Sequence, residues 1–500
     1  MKIKFLGAAG TVTGSCYWLQ GDNGGLVVDM GMFQGNIGST SEQTPNGLSS
    51  DEKPVTSREL NMKTPEIKIG STSEQSRLKS RTVSDEKPLV GVLVTHAHLD
   101  HGGRLPLLIK MGYKGKVYMT AATRDLLELS LHDTVKISQE YNKDSLFGEE
   151  DVEQLLSQVE LLEIGEEKIL GEFKVKFFRA GHILGAVSVL VEKKDIDSRL
   201  RGNDGRDGGN DIVVFSGDVG TGESPLILPP EPPEKADVVI LESTYGDRLH
   251  EDEDEEKILR EEIEKVSRNK GVLLIPVFSI QRSQRILHLL DHIQRQGGLP
   301  GGMKVYFDSP MAIEATKIFG KYRQYYSREL ADQAKKDDPF DFPGLVVTRQ
   351  AWEKKIIRKD KKAKIIVAGS GMMSGGRIMG HAKEYLPKPS TRLLIVGYQA
   401  KGTLGREIVD KVLNQVQDDV LVNIDGVRVE VNAKVRQIYS MSAHADQEQL
   451  LKWLSKIKGV KKVILTHGED EPRRVLGEKV KTRFGLEVDK PILGEEIEYL

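Results

Sequence analysis

The sequence predicts an α/β protein of two or three domains, and three observations carry that prediction. The chain has 500 residues, more than one average globular core holds. Its first half is built from short apolar runs that each stop at a glycine or a polar residue, the pattern of sheet strands with functional loops at their ends. Its second half alternates apolar runs with amphipathic stretches: GVLLIPVF, IQRSQRILHLLDHI, KVYFDSP, AKIIVAGSGMMSGG and TRLLIVGY. That alternation predicts a parallel sheet with helices outside it.

Taken in order, IKFLGAAGTVTGS and GGLVVDMGMF read as strand, turn and strand. Residues 36–88 are polar and repetitive. STSEQ occurs at 39–43 and 71–75, and SDEKP at 50–54 and 84–88, so the segment reads as a duplicated surface insertion, flexible at least in part and with no evident role in chemistry. PLVGVLVTHAHLDHGG is a buried strand ending in a histidine-rich loop, and a helical stretch follows at about 120–160. KVKFFRAGHILG and AVSVLVEKK are strands, and 199–210 is a polar hairpin tip. DIVVFSGDVG and ADVVILESTYG are buried strands ending in polar residues. The acidic run EDEDEE at 251–256 opens an amphipathic helix, where negative charge suits the helix dipole. The basic run at 352–364 is either a nucleic-acid contact or a solvated face. The chain closes on strand, helix, strand and helix: VRQIYS, ADQEQLLKWLSKI, KKVILTHG and EPRRVLGEKVKTRF.

Composition narrows the function classes. Apolar residues make up 38% and charged residues 29%, as in soluble globular proteins. The 72 basic residues against 75 acidic exclude a strongly basic nucleic-acid coat, although a local basic groove remains compatible. The single cysteine, Cys16, excludes an intrachain disulfide and a multi-thiolate zinc site, and Cys16 itself reads as buried and inert. Any metal must therefore sit on His, Asp or Glu. The N-terminus lacks a signal-peptide apolar core, and no window approaches 18 consecutive apolar residues. A cytoplasmic protein without a membrane span is expected.

His96, His98, Asp100 and His101 lie within six residues directly after the strand GVLVT. In an extended backbone His96 and His98 point the same way, and Asp100 and His101 can turn toward a second position nearby. All four are N/O donors of the kind zinc accepts. His182 in RAGHILG, Asp218 in FSGDVG and His467 in ILTHGE repeat one placement, a polar residue beside glycine at the end of an apolar strand. The Asp218 carboxylate can bridge two ions, which neutral imidazoles do not do. The set favours a dinuclear centre over a mononuclear one.

HAHLDHGG resembles the signature loop of the metallo-β-lactamase fold, an αββα sandwich of two face-to-face sheets with helices outside. ESTYGDR at 242–248, SAHAD at 442–446 and THGE at 466–469 resemble the further motifs of its nucleic-acid-processing branch, the β-CASP nucleases. That branch includes the endonuclease subunit cleaving messenger-RNA precursors at their 3′ ends. SGMMSGGR at 370–377 and GTLGRE at 402–407 are similar to its bacterial and archaeal members. The resemblance covers the chain except 36–88 and 199–210. It implies a metallo-β-lactamase domain over 1–246 and 441–500, with an inserted parallel-sheet β-CASP domain over 247–440. It further implies two Zn2+ per chain: His96, His98 and His182 on one, Asp100, His101 and His467 on the other, and Asp218 between them. Glu242 and His444 stand beside the metals, and Asp29 matches a loop aspartate that steadies the first histidines.

Such a centre would lower the pKa of a shared water and make hydroxide available near pH 7 for in-line attack on phosphorus. The resemblance implies departure of the 3′ oxygen and a 5′-phosphate product. His444 is the candidate general acid or phosphate-binding imidazolium, held by Glu242; a metal-ligand or core role for His444 and a structural role for Glu242 are the alternatives. Ser243 and Thr244 could donate hydrogen bonds to substrate. Ser374, Gly375, Gly376 and Arg377 form either a phosphate cradle or an ordinary glycine turn. The expected substrate is single-stranded RNA in a cleft between the domains, with a DNA nuclease, a small-molecule hydrolase and a nonhydrolytic scaffold as competing readings. RNA over DNA rests on the resemblance, as does an expected homodimer. Endonucleolytic and 5′-to-3′ exonucleolytic cutting stay open, as does the role of 36–88.

Overall fold

The computed structural model describes residues 1–34, 60–61, 87–140, 145–193, 211–222, 224–400, 402–413 and 420–499. The polar segments 36–88 and 199–210 fall outside these residues, apart from residues 60–61 and 87–88. The chain divides into two compact units. Met1–Gly222, Pro229–Leu249 and His444–Leu500 form the first, and Glu223–Leu228 with His250–Ala443 the second. Both joints fall three residues later than the sequence suggests. The stretch before Pro229, expected in the first domain, groups with the second because the Ser327 N–H bonds the Leu226 carbonyl at 2.9 Å and the Leu228 N–H the Tyr325 carbonyl at 2.9 Å.

The first unit holds two seven-stranded sheets. One runs Glu496–Glu498, Lys2–Phe5, Tyr17–Gln20, Gly25–Val28, Leu89–Leu93, Val117–Met119, Val159–Leu161. The other runs Glu487–Asp489, Lys462–Thr466, Val238–Glu242, Asp211–Phe215, Val187–Lys193, Phe173–Arg179, Glu167–Leu170. Phe5, Leu19, Val28 and Leu93 from the first sheet share one buried cluster with Phe173, Val189, Phe215 and Ile240 from the second, so the sheets pack face to face. Strand residues alternate faces. Val214, Val239, Leu241 and Leu465 accordingly point away from that core and are buried under Leu450, Leu451 and Trp453 of the helix Gln447–Leu454 and Leu476 and Val480 of the helix Asp470–Phe484. The helical stretch expected at 120–160 contains two helices, Ala121–Glu140 and Glu149–Ser157.

Four strands of the second sheet are parallel, Asp211–Phe215 through Glu487–Asp489. Three of them deliver Asp218, Glu242 and His467 to one edge, and register pairs Glu242 with Thr466, the residue before His467.

The second unit has a six-stranded, wholly parallel sheet in the order Leu345–Val347, Lys304–Asp308, Lys364–Ala368, Val272–Pro276, Arg392–Ile395, Lys434–Gln437. A hairpin that the sequence reading did not assign, Leu421–Ile424 with Val427–Glu430, turns through Asp425 and Gly426, both with positive φ (49° and 81°). Asp-Gly is the dipeptide such a tight turn favours. Among the described residues no helix is long and apolar enough to cross a membrane.

Candidate metal centre

Every residue of the candidate centre comes from the first unit, and backbone packing sets the loop that carries four of them. After Leu89–Leu93 the chain continues through Thr95 and His96 and enters the short helix Leu99–Gly102 at His98. Gly31 lies against this loop so closely that a Cβ there would meet the Asp100 carbonyl oxygen at 1.6 Å. At Gly217, φ is +56°, which swings the chain after Asp211–Phe215 so that Asp218 turns inward beside Thr95.

Two groups of donor atoms result. In the first, His96 Nε2 and His98 Nδ1 are 3.1 Å apart, and His98 Nδ1 and His182 Nε2 3.2 Å. Asp218 Oδ2 lies 3.4 Å from His96 Nε2 and 3.5 Å from His182 Nε2. Four ligands placed tetrahedrally at zinc bond lengths stand about 3.3 Å from one another, so these separations are those of one coordination shell. In the second group His467 Nε2 lies 3.5 Å from Asp100 Oδ2, and Asp218 Oδ1 lies 3.2 Å from His101 Nε2 and 3.6 Å from His467 Nε2. The two oxygens of Asp218 thus face different groups.

The donor chemistry fits a metal. Asp218 Oδ1 and His467 Nε2 are buried and hydrogen-bond to no described residue, a costly state unless something further satisfies them. Burial holds the imidazoles of His96 and His98 in the neutral, ligating form, the latter near pKa 4. Burial opposes charge on Asp218 as well, yet the imidazoles of His101 and His467 hold its carboxyl well below the usual range. The carboxylate is therefore ionised, as a ligand must be.

The surrounding hydrogen bonds fix these donors. Asp29, in the left-handed region at φ 59°, accepts from the Thr95 N–H (2.8 Å) and Thr95 hydroxyl (2.8 Å), and its Oδ2 lies 2.7 Å from His101 Nδ1. Asp29 is the residue expected to steady the first histidines. It grips His101, and it reaches His96 only through Thr95, whose Oγ1 is 3.1 Å from His96 Nδ1. Thr95 was missed by the sequence reading; its signal was its place between the apolar strand and the first histidine.

His444 stands at the mouth of the centre. Its Nδ1 is 3.2 Å from each oxygen of Glu242, and its Nε2 is 3.8 Å from Asp218 Oδ2. Burial works against charge on this ring, but Glu242 and Asp218 outweigh it and raise its pKa to about 9. Glu242 is itself locked, accepting from the Val219 N–H at 2.7 Å and the Thr244 N–H at 3.3 Å. Asp218, His444 and His467 also lie close enough to form a third donor group.

Three expected phosphate contacts have other work. The buried Ser243 hydroxyl donates to the Thr466 carbonyl at 2.7 Å, because strand pairing turns it toward the neighbouring strand. Thr244 Oγ1 lies 3.1 Å from His467 Nδ1 and 3.2 Å from the His467 carbonyl, so it positions that ring. In the second unit, Arg377 bonds Asp308 and the Thr348 and Arg349 carbonyls. His381, in the helix Arg377–Tyr385 that follows the glycine loop, binds the other Asp308 oxygen at 2.7 Å. Ser374 is exposed, its N–H donating to Ser370 Oγ at 3.1 Å, and a Cβ at Gly375 would meet nothing within 4 Å. At Gly376 φ is +74°.

Three family models match the chain, and curated relatives cover most of it. Residues 9–169 match the metallo-beta-lactamase superfamily, residues 283–408 the Beta-Casp domain, and residues 428–491 the Zn-dependent metallo-hydrolase RNA specificity domain. A ribonuclease of Thermus thermophilus is 34% identical over 99% of this chain and 100% of its own length. An RNase J-like protein of Methanocaldococcus jannaschii is 32% identical over 77% of this chain and 83% of its own. The transcription termination factor FttA of Pyrococcus abyssi is 31% identical over 82% of this chain, which spans 62% of that longer protein. A crystal structure of a protein of unknown function from Enterococcus faecalis superposes with TM-score 0.52 at 12% identity over 99% of both chains, a likeness of fold alone.

Proposed function

Since the chain belongs to the β-CASP branch of the metallo-β-lactamase superfamily, we propose that it is a two-zinc ribonuclease that hydrolyses phosphodiester bonds of single-stranded RNA and leaves 5′-phosphate ends. The observation that carries this reading is Asp218, whose two oxygens each face a separate set of donors at coordination-shell spacing. His96, His98 and His182 would hold one ion, Asp100, His101 and His467 the other, and Asp218 both. When bound, such a pair supplies an activated water and neutralises charge building on the phosphate.

The chain's own residues complete the chemistry. His444 holds a proton on Nε2, on the side facing Asp218, and delivers it to the departing 3′ oxygen. Glu242 accepts from Nδ1, which fixes the ring's orientation and supports its charge. Asp29 and Thr244 orient His101 and His467 from behind. Ser374, Gly375 and Gly376 remain candidates for backbone contact with phosphate, a contact that positions a strand without reading its bases. The chain acts as a cytoplasmic enzyme, and a homodimer is the assembly expected of it.

The test is cleavage of end-labelled single-stranded RNA and matched DNA by protein of known metal content. Cutting of RNA with 5′-phosphate products supports the reading, and the product ladder separates internal from terminal cutting. Preferential cutting of DNA, or 5′-hydroxyl products, would overturn it.

A further inference from the structure

The chain has three tryptophans. Trp18 and Trp453 are buried, at 6% and 3% exposure, whereas Trp352 is 63% exposed. Trp352 belongs to the second unit, in the turn Ala351–Glu353 that follows the strand Leu345–Val347 and leads into the helix Lys354–Lys359. Its backbone is tightly held. The Glu353 carboxylate accepts from the N–H groups of Arg349 (2.7 Å) and Gln350 (2.6 Å). Ile357, fully buried, anchors the helix from below. The buried Lys364 ammonium donates to the Ile357 carbonyl at 2.7 Å and to the Asp360 carbonyl, closing the helix C-terminus.

So held, the segment presents Lys355 and Lys359 to solvent, with Lys361 and Lys362 exposed just beyond. Residues 349–364 include eight basic side chains and two acidic ones, in a chain whose formal charge is −3. Both acids are committed: Glu353 to the turn, and Asp360 to the Tyr306 hydroxyl at 2.8 Å and the Lys362 N–H at 3.0 Å. Arg358 pairs with Glu384 at 2.6 Å, but among the described residues none provides an ion-pair partner for Lys355, Lys359, Lys361 or Lys362. A solvated helix face accounts for the lysines but not for a bare indole fixed among them. A single-stranded polynucleotide matches both features, since its bases stack on aromatic faces while its phosphates seek ammonium groups.

We propose that Trp352, with Lys355, Lys359, Lys361 and Lys362, forms a docking surface for single-stranded RNA outside the metal centre, one base stacking on the indole and the flanking phosphates lying on the lysines. The proposal rests on the ribonuclease reading and adds to it a place where substrate is held.

The two buried tryptophans make Trp352 the natural fluorescent reporter. In full-length, metal-stripped protein, a single-stranded oligoribonucleotide should quench tryptophan emission saturably, and Trp352→Phe should remove the quench. By fluorescence polarisation, Trp352→Ala should weaken binding about fivefold or more, with Trp352→Phe restoring most of it. Replacing Lys355, Lys359 and Lys362 with Gln together should reduce the slope of log affinity against log salt by about 2. RNA that is bound and cleaved with no quench, and with unaltered affinity and slope in the variants, would overturn the docking surface while leaving the ribonuclease reading intact. Quenching by polyglutamate but not by RNA would assign the surface to an acidic protein and overturn the proposal. Zinc-loaded protein that neither binds nor cuts RNA would overturn both.

Discussion

Asp218 and Asp308 are a matched pair in different surroundings. Each sits at or just past the carboxyl end of a strand in a parallel array, and each side chain is 1% exposed. Asp308 has the guanidinium of Arg377, the ring of His381 and the hydroxyl of Thr348 on its oxygens. It is a completed charge cluster. Asp218 has imidazoles on every side, no Arg or Lys among its ion pairs in the described residues, and one oxygen without a hydrogen bond. A buried carboxylate completed by a guanidinium is architecture. One ringed by ligating nitrogens, with an oxygen that no hydrogen bond satisfies, is a place for a cation.

Removing each carboxylate should separate the two roles most clearly. Asp218→Ala should cut RNA hydrolysis by about a thousandfold or more and lower the zinc retained per chain, measured by elemental analysis beside single-turnover cleavage. Asp308→Ala should retain full zinc content and instead lose about 3–5 kcal/mol of stability in denaturant unfolding, because it strands Arg377 and His381. Should Asp308→Ala shed zinc, the two sites would not be different in kind.

His444→Ala comes next. It should lower kcat by about 10²–10⁴-fold with zinc content unchanged. Zinc loss in step with activity would make His444 a ligand, in line with its closeness to Asp218 and His467. Thr95→Val should weaken zinc binding about 10- to 100-fold in a competitive chelator titration, since it cuts the link from Asp29 to His96. Unaltered affinity would mean the loop alone sets His96. The smallest effect belongs to Ser243→Ala, expected to cost about 1 kcal/mol of stability and to leave the KM for RNA as it was. A raised KM there would restore Ser243 as a substrate contact.

Much of the fold was legible because strand ends carry local signals. Apolar runs stopping at glycine located the strands bearing Asp218, Glu242 and His467, and the clustering of donors in HAHLDH marked the loop that holds four more side chains. Side-chain direction was not legible. Ser243 and Thr244 sit in a motif that looks reactive, yet pairing with Lys462–Thr466, more than 200 residues away in sequence, turns both hydroxyls inward. Arg377 at the end of a glycine loop reads as a phosphate ligand until Asp308, 69 residues earlier, is seen against it. The hairpin at 421–430 was missed although Asp425-Gly426 carries the turn signal, because its strands are short and half polar.

Whether Asp218 joins two metal positions in one hydrolytic centre is decided by restoring zinc stepwise to metal-stripped protein while following cleavage of single-stranded RNA. Activity should rise to a plateau at two zinc per chain in the wild type, with Asp218→Ala binding fewer ions and staying inactive. A plateau at one zinc per chain, or an Asp218→Ala variant that binds two ions and cuts RNA normally, would rule out a shared two-metal centre.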